Sequence, residues 1–271
     1  MMRHKIEEIA DVDTMIPNSP HARDVAYLVH PQTNLVAHRT RGPMMISRGE
    51  GVYIYDDSGK EYLDGSAGLW CASLGFSSER LAKVAYEQMR TLGYYQSFRH
   101  ASNGPNVDLA EKLLAIAPVP MSKVLFQASG SEAIDTAIKL IWYYHSATGN
   151  PERRTIITRQ MSYHGNTCIA VSASGRPELH ADFGLPLGPF KYTEFPHYYR
   201  YAQENEAEEQ FSSRMASALE KLILQEGPET VAAFIAEPVQ GGGGAVVPPR
   251  TYFEKIQSIL RKYDILLWQM K

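Results

Sequence analysis

The chain has 271 residues, 44% of them hydrophobic and 21% charged, with a formal net charge of −3 and a sequence pI near 6.3. That is the composition of an ordinary globular protein of one large domain, or one large and one small. It supplies no basic field for nucleic acid and no polybasic stretch for an anionic membrane.

Met1 to Thr14 is charged and lacks an apolar centre, so it reads as neither a signal peptide nor a clear transit peptide. Residues Met1 to Met45 are polar and punctuated by Pro, which predicts an irregular arm with one short helix. His21, His30 and His38 within it follow no ligand spacing and read as surface. From Gly51 to Gly65 two apolar-rich runs flank Asp56-Asp57-Ser58-Gly59, an antiparallel hairpin signature with Gly in the turn. Beyond Trp70, Leu81, Val84, Ala85, Met89 and Leu92 recur at helical spacing, and a second amphipathic run covers Asn106 to Ala117.

From Lys123 strands and helices alternate. The pattern predicts strand Val124 to Phe126, helix Ser131 to His145, strand Thr155 to Thr158 and a helix near Asn166 to Ser174. A polar loop from Gly175 to Glu208 follows, then helix Phe211 to Gln225, strand Val231 to Ala236, helix Tyr252 to Tyr263 and strand Ile265 to Trp268. Such alternation predicts an α/β domain built on a mainly parallel sheet, with a ligand at the carboxyl ends of its strands. Val231 to Ala236 is the longest apolar run, and its six residues cannot span a bilayer. Cys71 and Cys168 are far apart with no CxxC spacing, which predicts reduced thiols, a cytoplasmic setting and no metal cluster.

Four features fall where such a sheet presents a ligand. Ser129-Gly130-Ser131 joins a strand to a helix, where free N–H groups, hydroxyls and a Gly suit a phosphate as well as a plain helix cap. Ser162-Tyr163-His164-Gly165 offers an aromatic ring that could lie flat on a heterocycle, or a structural turn. In Glu237-Pro238-Val239-Gln240-Gly241 a strand ends in a carboxylate, with Pro stopping the ladder. Trp70, in Ala67-Gly68-Leu69-Trp70, could wall a pocket or sit in a core. Gly241 to Gly244 could suggest a dinucleotide loop, but Val246-Val247-Pro248-Pro249 replaces the helix that such a loop needs.

These segments, with Tyr62-Leu63-Asp64-Gly65, resemble in wording and order the class III pyridoxal-phosphate-dependent aminotransferases of fold type I, near the ω-amino acid:pyruvate subgroup. The resemblance covers roughly Val29 to Leu267. It implies that Ser129, Gly130 and Ser131 hold the cofactor phosphate, Tyr163 stacks on the pyridine ring and Trp70 lines the substrate pocket. His164 would hydrogen-bond the carboxylate facing the ring nitrogen, and Glu237 would join the cofactor's polar network. Ile134 departs from the Asn common in the family. By the same resemblance, residues 1–75 are an arm and hairpin contributing to the small domain, and residues 76–271 an incomplete large cofactor-binding domain. The implied reaction moves an amino group from an amine or ω-amino acid to a keto acid such as pyruvate, in a family-type homodimer if the chain is complete.

Transamination with this cofactor also needs a Lys to form the Schiff base and a carboxylate to keep the pyridine nitrogen protonated. The resemblance places both after the Glu237 segment. Tyr263-Asp264-Ile265-Leu266-Leu267 follows the family, but Trp268-Gln269-Met270-Lys271 does not, and Met270 stands where the family has Asp. Lys123, Lys139, Lys271 and Asp264 lack the family context of the missing pair. The expectation is a shortened aminotransferase sequence that is inactive alone and carries no catalytic residue of its own. The alternative expectation is a non-catalytic fragment that pairs with a full-length subunit.

Overall fold

A computed structural model describes residues 15–270. The chain divides into two compact units between Lys112 and Leu113.

The first unit begins with two short helices, α1 (Pro20–Tyr27) and α2 (Leu35–Arg41), where the sequence predicts one; Met1 to Thr14 lies outside the described residues. Both starts are set locally. The Ser19 hydroxyl accepts from the Ala22 N–H at 3.2 Å, and the Asn34 side chain accepts from the Val36 and Ala37 N–H groups, both at 3.0 Å. Each cap occupies N–H groups that the first helical turn leaves without a partner. Asn34→Ala is expected to lower stability by about 1 kcal/mol in chemical denaturation, because it frees two such groups while touching no core residue.

Three strands follow, β1 (Ile46–Glu50), β2 (Tyr53–Asp56) and β3 (Glu61–Leu63), in the order β1-β2-β3 and antiparallel throughout. The predicted hairpin is β2-β3. Its turn is tied by Asp56, whose Oδ1 accepts from the Ser58 N–H at 3.0 Å, the Ser58 hydroxyl at 2.7 Å and the Lys60 N–H at 2.9 Å. Gly59 sits at φ +85°, where a side chain would be strained. Strand β1 escaped the sequence reading because Ser47, Arg48, Gly49 and Glu50 lack apolar alternation. After an irregular turn, α3 (Ala67–Trp70), come α4 (Glu79–Leu92) and α5 (Gly104–Ile116), where the helical spacing predicts them.

The second unit contains α6 (Gly130–Ala147), β4 (Thr155–Arg159), α7 (Cys168–Ala173), β5 (Phe190–Thr193), α8 (Tyr198–Tyr201), α9 (Glu208–Glu226), β6 (Val231–Ala236), α10 (Tyr252–Lys262) and β7 (Leu266–Gln269). The sheet is wholly parallel in the order β5-β4-β6-β7, as the alternation predicts. Both faces are covered, so β6 is buried at all six positions. Ile157, Phe234 and Ala236 pack with Phe211, Leu219 and Ile256 of α9 and α10. Ile156, Ala233 and Ile235 pack with Ile134 and Ile138 of α6 and with Ala170 of α7 on the other side. Ala232 and Ala233 join the same cluster because the β4–β6 register shifts between Thr155 and Ile156.

Two expectations fail here. Val124 to Phe126 is not a strand: the segment forms no ladder with any described strand, and Leu125 and Phe126 are exposed. A strand is completed by its neighbour, which propensity alone does not provide. The polar loop from Gly175 to Glu208 contains β5 and α8. Phe190 and Thr193 are buried, yet Lys191 between them breaks the apolar run that would have marked an interior strand.

Candidate functional site

The corner above the carboxyl ends of β4 and β6 collects most of the residues singled out from the sequence. At the start of α6, the Ser129 hydroxyl accepts from the Glu132 N–H at 3.2 Å, and Glu132 reaches back to accept from the Ala128 N–H at 3.0 Å. This reciprocal capping leaves the N–H groups of Gly130 and Ser131 without a partner among the described residues. The Ser131 hydroxyl accepts from the Asn166 N–H at 2.9 Å, which ties the start of α6 to the turn after β4. Gly165 makes that approach feasible: a Cβ there would lie 2.7 Å from Ser131 Oγ and 2.9 Å from Ser131 Cα, at φ +139°. Thr167, the cap of α7, donates to Asp135 at 2.7 Å and closes the same seam.

Tyr163 is half-buried, and its N–H donates to Glu237 Oε2 at 3.4 Å. Gly242 lies against it so closely that a Cβ would sit 2.8 Å from Tyr163 Cβ. The stretch from Glu237 to Gly242 therefore reaches the Tyr163 turn at both of its ends. Burial pushes the Glu237 carboxyl up to about 7, against a smaller opposing pull from the Arg159 guanidinium.

His164 is fully buried. Its N–H donates to the Ser174 hydroxyl at 2.8 Å, and its Nδ1 lies 3.0 Å from Met270 Sδ. Nε2 has no partner. Burial, reinforced by Arg159, pushes the imidazole down to about 3, so it is neutral at ordinary pH. The carboxylate that the resemblance implies beside His164 is thus represented by a thioether, a weak acceptor with no charge. Met270 reaches this place because its N–H continues the ladder to the Ala236 carbonyl at 2.9 Å.

Arg159 and Gln240 are the residues that sequence reasoning missed. Arg159 ends β4 fully buried, donates through Nη2 to the Glu237 carbonyl and faces the Tyr252 and Phe253 rings at 5.7 and 5.8 Å. Its Nε and Nη1 have no partner, and neither does Gln240 Oε1, while Gln240 Nε2 donates to the Gln160 carbonyl at 3.0 Å. The available clue was an Arg closing an otherwise uncharged strand. Buried polar atoms without partners are uncommon in native proteins.

Trp70 belongs to the first unit and is 67% exposed. Ala67, Gly68, Leu69 and Trp70 all have positive φ, between 49° and 67°. Such a left-handed turn costs about 1–2 kcal/mol per non-Gly residue. Asp64 supports it, accepting from the Gly68 N–H at 2.6 Å and the Ser66 N–H at 3.0 Å.

The family profile described as aminotransferase class-III matches residues 35–268. The chain belongs to the class-III aminotransferase family. Among curated relatives, it is 53% identical over 225 residues to gamma-aminobutyrate transaminase 1, mitochondrial, of Oryza sativa subsp. indica, covering 83% of this chain and 44% of that protein. It is 48% identical over 266 residues to gamma aminobutyrate transaminase 3, chloroplastic, of Solanum lycopersicum, covering 95% and 51%. Among solved structures, the omega transaminase of Pseudomonas jessenii in complex with PMP superposes with a TM-score of 0.91 at 52% identity, over 92% of this chain and 55% of that one. The chain therefore spans about half the length of the relatives it matches. The α/β architecture, with its parallel four-stranded sheet and separate antiparallel sheet, is that of these fold type I neighbours.

Class-III aminotransferases use pyridoxal phosphate, and this chain's residues fit that group in part. Gly130 and Ser131 offer free N–H donors at the start of a helix of 18 residues, which suits a phosphate, and Tyr163 lies in the same turn as Gly165, which packs on Ser131. The ring-nitrogen end does not fit, because Met270 can neither accept a proton nor balance a pyridinium charge. No Lys takes part in the contacts that build this corner among the described residues; Lys191, Lys255 and Lys262 are engaged with Glu226, Glu209 and Glu220. Lys271 lies outside the described residues.

Proposed function

We propose that this chain supplies the phosphate-binding and ring-stacking half of a transaminase centre. The centre would move an amino group from an amine or ω-amino acid to a keto acid such as pyruvate, with pyridoxal phosphate as the electron sink. Ser129 orients the start of α6, Gly130 and Ser131 bind the phosphate, and Tyr163 covers the ring. His164 is held neutral behind it and Glu237 closes the polar side. Trp70 is assigned to the substrate pocket on the resemblance alone.

The 271-residue chain is proposed not to turn over by itself. The observation that carries this reading is the contact of His164 Nδ1 with Met270 Sδ at 3.0 Å, in the place where the chemistry needs an anion. Pyridoxal phosphate added to the purified chain is expected to bind weakly and without covalent attachment. Borohydride treatment followed by peptide mass mapping should therefore find no single modified Lys. A stoichiometric adduct on one Lys, accompanied by turnover of an amine with pyruvate, would refute the reading.

A second reading is a subunit fragment that pairs with a full-length aminotransferase. It is favoured by the exposed apolar side chains Leu125, Phe126, Leu140, Tyr143 and Tyr144 before and along α6. Homodimer formation and a cytoplasmic location belong to the same set of proposals. Light scattering on the purified chain checks the first and cell fractionation the second, the latter against relatives whose names place them in mitochondria or chloroplasts.

A further inference from the structure

Two of the three histidines that read as scattered surface residues converge on one carboxylate. Asp24 is the one buried residue of α1, at 8% exposure; His30 follows that helix, and His38 lies in α2. Asp24 Oδ1 is 2.9 Å from His30 Nε2 and 2.9 Å from His38 Nε2, and Oδ2 is 3.0 Å from His30 Nε2. All three ligand atoms lie within 4.8 Å of one another. The imidazoles are tilted by 46° with centroids 4.5 Å apart, and both Nε2 atoms meet the same Asp24 oxygen. Burial works to raise the Asp24 pKa, but the hydrogen bonds from His30 and His38 outweigh it and hold the carboxyl below its ordinary value.

We propose that Asp24, His30 and His38 form a binding site for one divalent first-row transition metal ion, with Zn2+ as the representative cation, that staples α1 to α2. Two imidazole nitrogens and one carboxylate oxygen are the ligand types that such ions take, with solvent completing the shell. Tetrahedral ligands at about 2.0–2.1 Å from zinc stand about 3.3 Å apart. The two Asp24–His separations of 2.9 Å need to open by a few tenths of an ångström, and the two Nε2 atoms, within 4.8 Å of each other, need only settle at the same spacing to admit the ion. Coordination uses the Nε2 lone pairs and leaves each ring proton on Nδ1. The ion then bridges positions 24, 30 and 38, which hydrogen bonds to Asp24 already draw together. His21 takes no part, since it pairs with Asp57 at 3.4 Å.

The test uses the full chain with any affinity tag removed, titrated at neutral pH with Co2+ alone and followed by visible absorption, then with Zn2+ by calorimetry. The expected result is one Co2+ per chain, with an intense visible band that Zn2+ abolishes and a melting midpoint that rises with Zn2+. His38→Gln and Asp24→Asn should each weaken binding at least about tenfold. His21→Gln should leave it unchanged. His30→Gln, at the most exposed of the three ligands, carries the same expectation should the others fail to fold. Absence of a saturable visible band in the wild-type chain would overturn the proposal, and so would binding that survives His30→Gln at full affinity.

Discussion

Replacing Arg159 by Ala is expected to destabilise the chain by about 2–5 kcal/mol, whereas Arg159→Met should stay within about 1.5 kcal/mol of the wild type. The Ala variant leaves a void against Tyr252 and Phe253, next to the sheet. Both variants remove the donor that satisfies the Glu237 carbonyl, so the void is what separates them. The Met variant refills most of the volume and no longer keeps a desolvated cation whose Nε and Nη1 have no partner. Urea denaturation midpoints at constant slope decide between them. A Met variant as unstable as the Ala variant would mean that the charge itself stabilises this corner, and would point to an anion that Arg159 serves. In both variants the Glu237 carboxyl should titrate higher still, because the Arg159 charge now pulls it down.

The pH dependence of stability should change shape when Glu237 is replaced by Gln. His164 is pushed from 6.5 down to about 3, so between those values the unfolded chain binds a proton that the native chain refuses, and stability is lost as pH falls. Glu237 is pushed from 4.5 up to about 7, so the native chain keeps a proton that the unfolded chain has released, and stability is lost as pH rises. One proton corresponds to a slope of about 1.4 kcal/mol per pH unit, with opposite signs for the two groups. They offset each other between 4.5 and 6.5, where the windows overlap, and below 4.5 the His164 loss stands alone. Asp56, held near 2 first by the Ser58 hydroxyl, and Glu206, held near 2 first by Arg214, add to the loss on the acid side. Glu237→Gln removes the opposing slope, so its stability should climb steadily across the range in which the wild type is level. Denaturation midpoints measured across a pH series give the comparison, and parallel profiles for the two proteins would rule the account out.

Most of the large elements were legible because their residues are periodic. Val231 to Ala236 is an uninterrupted apolar run and became the buried centre of the sheet, and α4, α6, α9 and α10 follow apolar spacings of three and four. What escaped were elements defined by their neighbours. Strand β5 carries Lys191 between buried Phe190 and Thr193, and its strand character comes from pairing with β4. Val124 to Phe126 is the converse, with a strand-like composition and no ladder.

The site divides along the same line. The order of Ser129-Gly130-Ser131, Tyr163-His164-Gly165 and Glu237-Pro238 is written in the sequence, and with it the family and the substitution of Met270 for an anion. Residue type settles those points, since a thioether cannot do the work of a carboxylate in any arrangement. Only the tertiary structure decided that Met270 meets His164, that Arg159 is buried without a full set of partners, and that His30 and His38 share Asp24. Those facts depend on distances between residues 6 to 106 positions apart. Spacing along a chain carries no information on such distances until the sheet and helices have packed.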